Sequence, residues 1–250
     1  VGRAAWNRLF DETMARMRID MDGKPRTTEE VLHSLSDTNG AVRKKAAKAL
    51  GKTFGEHIQL FSLITNTLAK DKEIDDRWRS YVWPQSSRNL TNHVEDEVVD
   101  ALSTAVQKSY PDLAHRYYKL KAGWFGKRKL DYWDRNAPLP DAGGKEISWD
   151  TAKSLVLDAY SQFSPDLAKV GKQFFDKPWI DAASRPGKAG GAFAHPTVPS
   201  VHPYLLVNYM GRPRDVMTLA HELGHGCHQV LAGPQGHLKC DTPLTLAETA

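Results

Sequence analysis

Thr218-Leu-Ala-His-Glu-Leu-Gly-His225 carries the pattern His-Glu-x-x-His, and its reading sets the expectation for the rest of the chain. Residues four apart on an α-helix stand on one face, so His221 and His225 can turn their ring nitrogens toward a single metal ion. Glu222 follows the first of them and can lean over the ion's open position. Two imidazoles, an activated water and a carboxylate base are the parts needed for zinc-dependent peptide hydrolysis. The pattern specifies only three positions and also arises by accident, so its surroundings have to support it.

They do. Pro213 and then Asp215, read as an N-cap, open a helix. Val216, Leu219, Ala220 and Leu223 supply its apolar contacts, and it is expected to run through Cys227, His228 and Leu231 until Gly233-Pro234 stops it. Past the next turn, Pro243 and Leu244 can open a second helix that presents Glu248. Two histidines and one glutamate leave a fourth position open, as in a catalytic rather than a structural zinc site. The alternative for Glu248 is a solvated carboxylate favoured by the helix dipole. Cys227 follows His225 by two residues, which turns it off the ligand face and reads as a small core residue. His195, His202 and His237 read as surface or hydrogen-bonded histidines.

Upstream, the periodicity predicts helices. Trp6, Leu9, Phe10, Met14 and Met17 mark one over 4–18. Asp22-Gly23 suits a tight hairpin turn, and Thr27 or Thr28 caps a helix through Leu35, with Glu30 in capping-box position relative to Thr27. After Ser36-Asp37 a long helical pattern continues toward Lys70, and Pro84 interrupts the chain. Asn92 reads as the cap of a helix over 94–108, Pro111 opens another, Ser148 caps 149–163, and Ser164-Pro165 starts 166–175. The aromatic pairs Tyr117-Tyr118, Trp124-Phe125 and Tyr132-Trp133 read as core. The Pro/Gly stretch from Asn136 to Gly144 is the main boundary, giving an expected helical domain over 1–140 that forms part of a cleft wall and a catalytic domain over 141–250.

From Asp181 the character changes. Arg185 to Gly191 is a basic, glycine-rich loop expected to be flexible, and it lacks the Lys-Ser/Thr ending of a phosphate loop. Residues 191–194 and 204–209 read as two strands. A strand at this distance before the first motif histidine resembles the edge strand of thermolysin-type zinc peptidases, which pairs with the peptide substrate through its main chain. Gly191, Ala192 and Phe193 are therefore candidate substrate-binding residues, with a simple hairpin packed on the motif helix as the equal alternative.

Composition excludes several classes. Forty per cent apolar and twenty-six per cent charged residues suit a globular chain of 250 residues. The net charge of +4 comes from bases interspersed with acids, without a nucleic-acid stripe. No apolar run reaches membrane-spanning length. Two cysteines make a disulfide framework unexpected and favour a cytoplasmic setting.

His221-Glu-Leu-Gly-His-Gly-Cys-His228 followed by Leu246-Ala-Glu-Thr-Ala250 resembles the thimet oligopeptidase and oligoendopeptidase F family of zinc peptidases, the oligoendopeptidase F branch most closely. Leu63 to Asp71, Val94 to Asp100, Tyr132 to Pro140 and Ala192 to Pro199 are similar to stretches of the same branch, so the likeness covers most of the chain. It implies one Zn2+ per chain held by His221, His225 and Glu248, Glu222 as general base, and His228 as structural support. It also implies a mainly α, multi-helix zincin-type fold with a small antiparallel β element before the motif helix, and short oligopeptides as substrates, with no nucleic-acid or membrane partner. Members of that family are much longer, so the chain is expected to be an internal fragment lacking downstream substrate-binding residues. The rival reading is a helical scaffold, because 37–50 looks like one helix of a HEAT-type repeat. A solenoid needs at least about three such units, and no second copy recurs.

Overall fold

The computed structural model describes residues 1–140 and 146–248, and the chain divides into two compact units, Val1–Ala142 and Gly143–Ala250. Of the Pro/Gly stretch over 136–144, residues 141–144 lie outside the described residues, as do Thr249 and Ala250.

The first unit opens with α1 (Arg3–Arg16), a hairpin of β1 (Ile19–Met21) and β2 (Lys24–Arg26), and α2 (Thr28–Ser34). Asp22 and Gly23 both adopt positive φ, 62° and 72°, so Met21 and Lys24 face each other across a two-residue turn of the primed kind. The Glu30 amide donates to Thr27 Oγ1 at 3.2 Å while the Thr27 amide donates to Glu30 Oε2 at 2.7 Å, the reciprocal bonds expected of a capping box. That amide is the main reason the Glu30 carboxyl sits below its usual range.

The long helical pattern toward Lys70 resolves into two helices, α3 (Gly40–Glu56) and α4 (Ile58–Trp78), separated at His57 with φ −103° and ψ 7°. Gly55, a weak helix former, lies two residues before the break. Next come α5 (Ser86–Thr91) and α6 (Asp96–Ser109). Asn92 is the C-cap of α5 rather than the N-cap of the following helix, because His93 turns left-handed at φ 54° and delays α6 until after Glu95. Pro111–His115 forms a wide π-type turn that runs into α7 (Arg116–Trp124). Met17, Ile19, Val31, Ala46 and Leu50 form the core of this unit. The expected aromatic core pairs are not in it: Tyr117, Tyr118, Trp124 and Tyr132 are all exposed, Tyr132 at 70%. Helical periodicity marks a preferred face without saying whether anything covers it.

In the second unit, α8 (Trp149–Phe163) and α9 (Pro165–Asp176) are capped by Ser148 and Ser164, whose hydroxyls accept from the Thr151 and Leu167 amides. Then follow β3 (Ile180–Ala183), β4 (Phe193–His195), β5 (Tyr204–Tyr209), the long α10 (Pro213–Ala232) and the short α11 (Leu244–Ala247). The strands form one sheet in the order β3-β5-β4. The antiparallel pair read from the sequence is present, with Ala194 opposite Leu205, and it is joined by β3 running parallel to β5. Ala152, Val156, Phe174, Leu205, Leu219, Leu223 and Cys227 form the core between helices and sheet. Gly226 makes this closeness feasible: a Cβ there would stand 2.8 Å from the Phe174 ring.

The basic loop before β4 is pinned. The Lys188 side chain is buried, and its Nζ donates to the carbonyls of Asp181, Ala183 and Val207 and to Asp181 Oδ1. Asn208 Nδ2 donates to the carbonyls of Ala189 and Gly191. The glycines here serve backbone conformation: Gly187 and Gly191 take φ of 83° and 77°, and a Cβ at either would meet open space. Among the described residues no helix is long and apolar enough to cross a membrane.

Candidate metal centre

The motif lies in the middle of α10, where the sheet and two helices hold it. Pro213 is the first helical residue and Arg212 the N-cap. Asp215 is therefore not the N-cap; it is the third residue of the helix. Its Oδ2 accepts the amides of Met210 at 3.0 Å and Arg212 at 2.9 Å, tying the chain entering the helix to its first turn. From α8, the Tyr160 hydroxyl donates to the Ala220 carbonyl at 2.5 Å, one residue ahead of His221. Burial pushes that hydroxyl's pKa well above the usual phenol range. Leu219 and Leu223 are fully buried on the face opposite the histidines.

His221 and His225 turn their Nε2 atoms toward each other at 3.0 Å, with ring centroids 4.4 Å apart. Glu248, at the C-cap of α11, brings Oε2 to 3.3 Å from His221 Nε2 and Oε1 to 3.5 Å from His225 Nε2. Among the described residues these three are the group of metal-ligating side chains, their ligand atoms all lying within 4.8 Å of one another. A tetrahedral ion bound at about 2.0–2.1 Å spaces its ligand atoms about 3.3–3.4 Å apart, so the trio matches that size without rearrangement. Lone pairs facing one another at these distances repel unless a cation or protons lie between them. The donor set, two nitrogens and one oxygen, suits a borderline ion such as zinc.

Glu222, one residue round the helix, is buried behind the trio at 8% exposure. Burial raises its carboxyl above the usual range, partly opposed by His221 and His225 and by a hydrogen bond from the Ala194 amide. The Ala194 carbonyl accepts from Gln229 Nε2 at 3.5 Å. Both main-chain groups of Ala194 thus face α10, and β4 lies along the motif helix. Phe193 is exposed, Ala192 is half-buried, and Gly191 takes φ +77° just before the strand.

The other histidines stand outside the trio. His195 Nδ1 accepts from the Thr197 amide at 3.0 Å, His202 stacks on Trp179 with centroids 4.0 Å apart, and His237 is exposed. His228 is half-buried on α10. Cys227 is a fully buried core residue whose thiol is pushed up to about 12 by burial. Tyr160 and Ala194 escaped the sequence reading, since nothing in their local pattern says that they meet a helix far along the chain, and so did Gln229, whose partner Ala194 lies 35 residues back.

The family model for peptidase family M3 matches residues 33–250. Oligopeptidase PepF of Bacillus subtilis (strain 168) is 26% identical over 211 residues, 84% of this chain and 31% of that protein. An oligoendopeptidase F homolog of Lactococcus lactis subsp. lactis (strain IL1403) is 27% identical over 217 residues, 86% of this chain and 36% of that protein. The chain thus spans about a third of the length of these curated relatives. Among solved structures, PZ peptidase A with an inhibitor superposes with a TM-score of 0.82 at 20% identity, covering 90% of this chain and 41% of that one.

Proposed function

The chain belongs to peptidase family M3, and from that premise we propose that it carries the metal centre of a zinc endopeptidase acting on short oligopeptides. The observation that carries the reading is the convergence of His221, His225 and Glu248 with a buried carboxylate, Glu222, beside them. The two Nε2 atoms and a Glu248 oxygen would hold the ion. When bound, zinc supplies Lewis-acid polarisation of the scissile carbonyl and acidifies the attacking water.

The remaining work falls to this chain's own residues. Glu222 takes a proton from the attacking water at its carboxylate and returns it to the leaving amide nitrogen. Its burial, at 8% exposure, shields the carried proton from bulk solvent between the two transfers. The Ala194 amide, donating to Glu222, keeps the carboxylate aimed. Main-chain groups alternate in direction along a strand. With those of Ala194 turned to α10, the next equivalent position upstream is Ala192, which we assign as the residue most available to pair with an extended peptide, Gly191 and Phe193 flanking it. A scaffold role for 37–50 is disfavoured: that stretch forms α3 and packs against the hairpin and α2.

Metal analysis tests the reading. The purified protein should hold one zinc per chain, and His225→Ala should lose nearly all of it. Full retention by His225→Ala would remove the ligand assignment. In a chain extended to the length of the curated relatives, cleavage of a quenched-fluorescent oligopeptide should stop with a chelator and return with zinc, whereas the chain of 250 residues is expected to cleave it poorly.

A further inference from the structure

The first unit contains a preformed hollow of about 680 Å³ between α3, α7 and the segment 128–136, a volume within the range of small-molecule sites. It uses no residue of the metal centre. Leu50, Ala47 and Ala122 line it with apolar surface, and Tyr118, Tyr132 and Trp133 add aromatic rings. Tyr132 and Trp133 pack edge to face with centroids 4.8 Å apart.

The walls are held by a charge cluster. Arg43 Nη2 donates to Asp134 Oδ1 at 2.7 Å, both side chains almost fully buried, and Lys127 Nζ donates to Asp134 Oδ2 at 2.5 Å. Lys121 Nζ donates to the Arg135 carbonyl at 2.8 Å. These bonds anchor the segment that carries Tyr132 and Trp133 to α3 and α7, so the hollow does not depend on a ligand to form.

The charge lining it is one-sided. Lys119, Arg128, Lys129 and Arg135 line the hollow and are exposed. None of these side chains has a hydrogen bond or ion pair among the described residues. The acid among the lining residues, Asp131, is already paired with Lys127 at 3.0 Å. Exposed lysines and arginines are usually just solvated. Four around one apolar, aromatic-walled hollow, with its carboxylate neutralised, make a positive potential over a surface suited to flat rings.

We propose that this hollow binds a small aromatic anion, a molecule with a flat apolar body and one acidic group. The body rests between Leu50 and the rings of Tyr118 and Trp133, and the anionic group meets the guanidinium and ammonium groups at the rim, Arg128 and Lys129 among them.

The probe is 8-anilinonaphthalene-1-sulfonate, with neutral N-phenyl-1-naphthylamine as its uncharged counterpart, each titrated by fluorescence against the folded protein. Expected are one anionic probe per chain, at least about tenfold weaker binding by Ala47→Phe, and about 3–10-fold weaker binding by Arg128→Ser/Lys129→Ser, as two screened ion pairs allow. The neutral probe should bind less tightly and ignore the charge change. Should circular dichroism show Ala47→Phe unfolded, the exposed Arg128/Lys129 pair decides alone. Equal binding of the two probes, or anionic-probe affinity within twofold of the parent in the serine pair or in folded Ala47→Phe, would overturn the proposal.

Discussion

Two clusters of ionisable side chains in this molecule are built on opposite plans. Around Asp134, in the first unit, Arg43 and Lys127 donate to both carboxylate oxygens, and the Arg43–Asp134 pair is sealed from water at 3% and 0% side-chain exposure. Around His221, in the second unit, two imidazole nitrogens and a carboxylate crowd within 3.5 Å of one another, and His221 and Glu248 are about half exposed. The first cluster contains its own countercharge. The second is a ring of lone pairs that only a cation or protons can reconcile. A closed cluster holds a fold together; an open one is poised for a ligand, and it can stay that way because its geometry is supported from behind by Leu219, Leu223 and Tyr160.

Mutations should therefore separate the two plans. The largest effect is expected at Glu222. In the active, metal-loaded enzyme, Glu222→Gln should keep zinc and lower kcat by about 10²–10⁴-fold, because a carboxamide cannot accept the water's proton. Near-normal kcat with metal retained would remove Glu222 from the mechanism and leave the metal centre standing. Next comes Asp134→Ala, which strands a buried guanidinium. Urea unfolding should report a loss of about 3–5 kcal/mol, whereas His225→Ala without metal should unfold at nearly the parent midpoint. Similar midpoints for the two variants would break the comparison.

Ligand linkage sharpens it further. Zinc at about a hundred times its dissociation constant should stabilise the parent by about 2.7 kcal/mol and His225→Ala by almost nothing. The Asp134 cluster should show no zinc response and a pH response instead. Burial works to raise the Asp134 carboxyl, but the hydrogen bonds from Lys127 and Arg43 outweigh it and hold the group below its usual range. A depressed carboxylate stabilises the fold above its unfolded pKa of about 3.9, and that contribution is lost as pH falls through the lower folded value. Acid unfolding of the parent, compared with Asp134→Asn, should show this difference vanish at low pH. The smallest expected effect is Thr27→Ala, about 1 kcal/mol from the broken capping box, with metal binding unchanged.

Much of this was legible in the residues, and the failures share a cause. Thr27 with Glu30, Asp22-Gly23, Ser148 and Ser164 were readable because caps and turns act within a few residues. Asn92 misled because an Asn can end one helix as well as begin another, and the left-handed turn at His93 decides which. Asp215 was read as the N-cap because an acid suits either place at a helix start; an N-cap accepts amides ahead of it, whereas this carboxylate accepts those of Met210 and Arg212 behind it. β3 was missed: Ile-Asp-Ala-Ala over 180–183 has no alternating pattern, and it becomes a strand because β5 offers it a ladder. Lys188 looked like loop charge until its four acceptors came together from β3 and β5. Of the aromatic pairs near 117 and 132, expected inside, Tyr117, Tyr118 and Tyr132 lie outside, and Tyr118, Tyr132 and the half-buried Trp133 line a hollow no periodicity could announce.

The sequence by itself determined the pairing of His221 with His225 and the position of Glu222 beside them. All three sit on one helix, and the 3.6-residue repeat places them without help from the rest of the chain. Only the tertiary structure decided that Glu248 faces those histidines, that Ala194 turns its amide to Glu222, and that Tyr160 grips the helix at Ala220. Each of those contacts joins segments separated by loops or whole elements. Their closeness comes from the packing of α8, α9 and the sheet around α10, and local spacing carries no information about that packing.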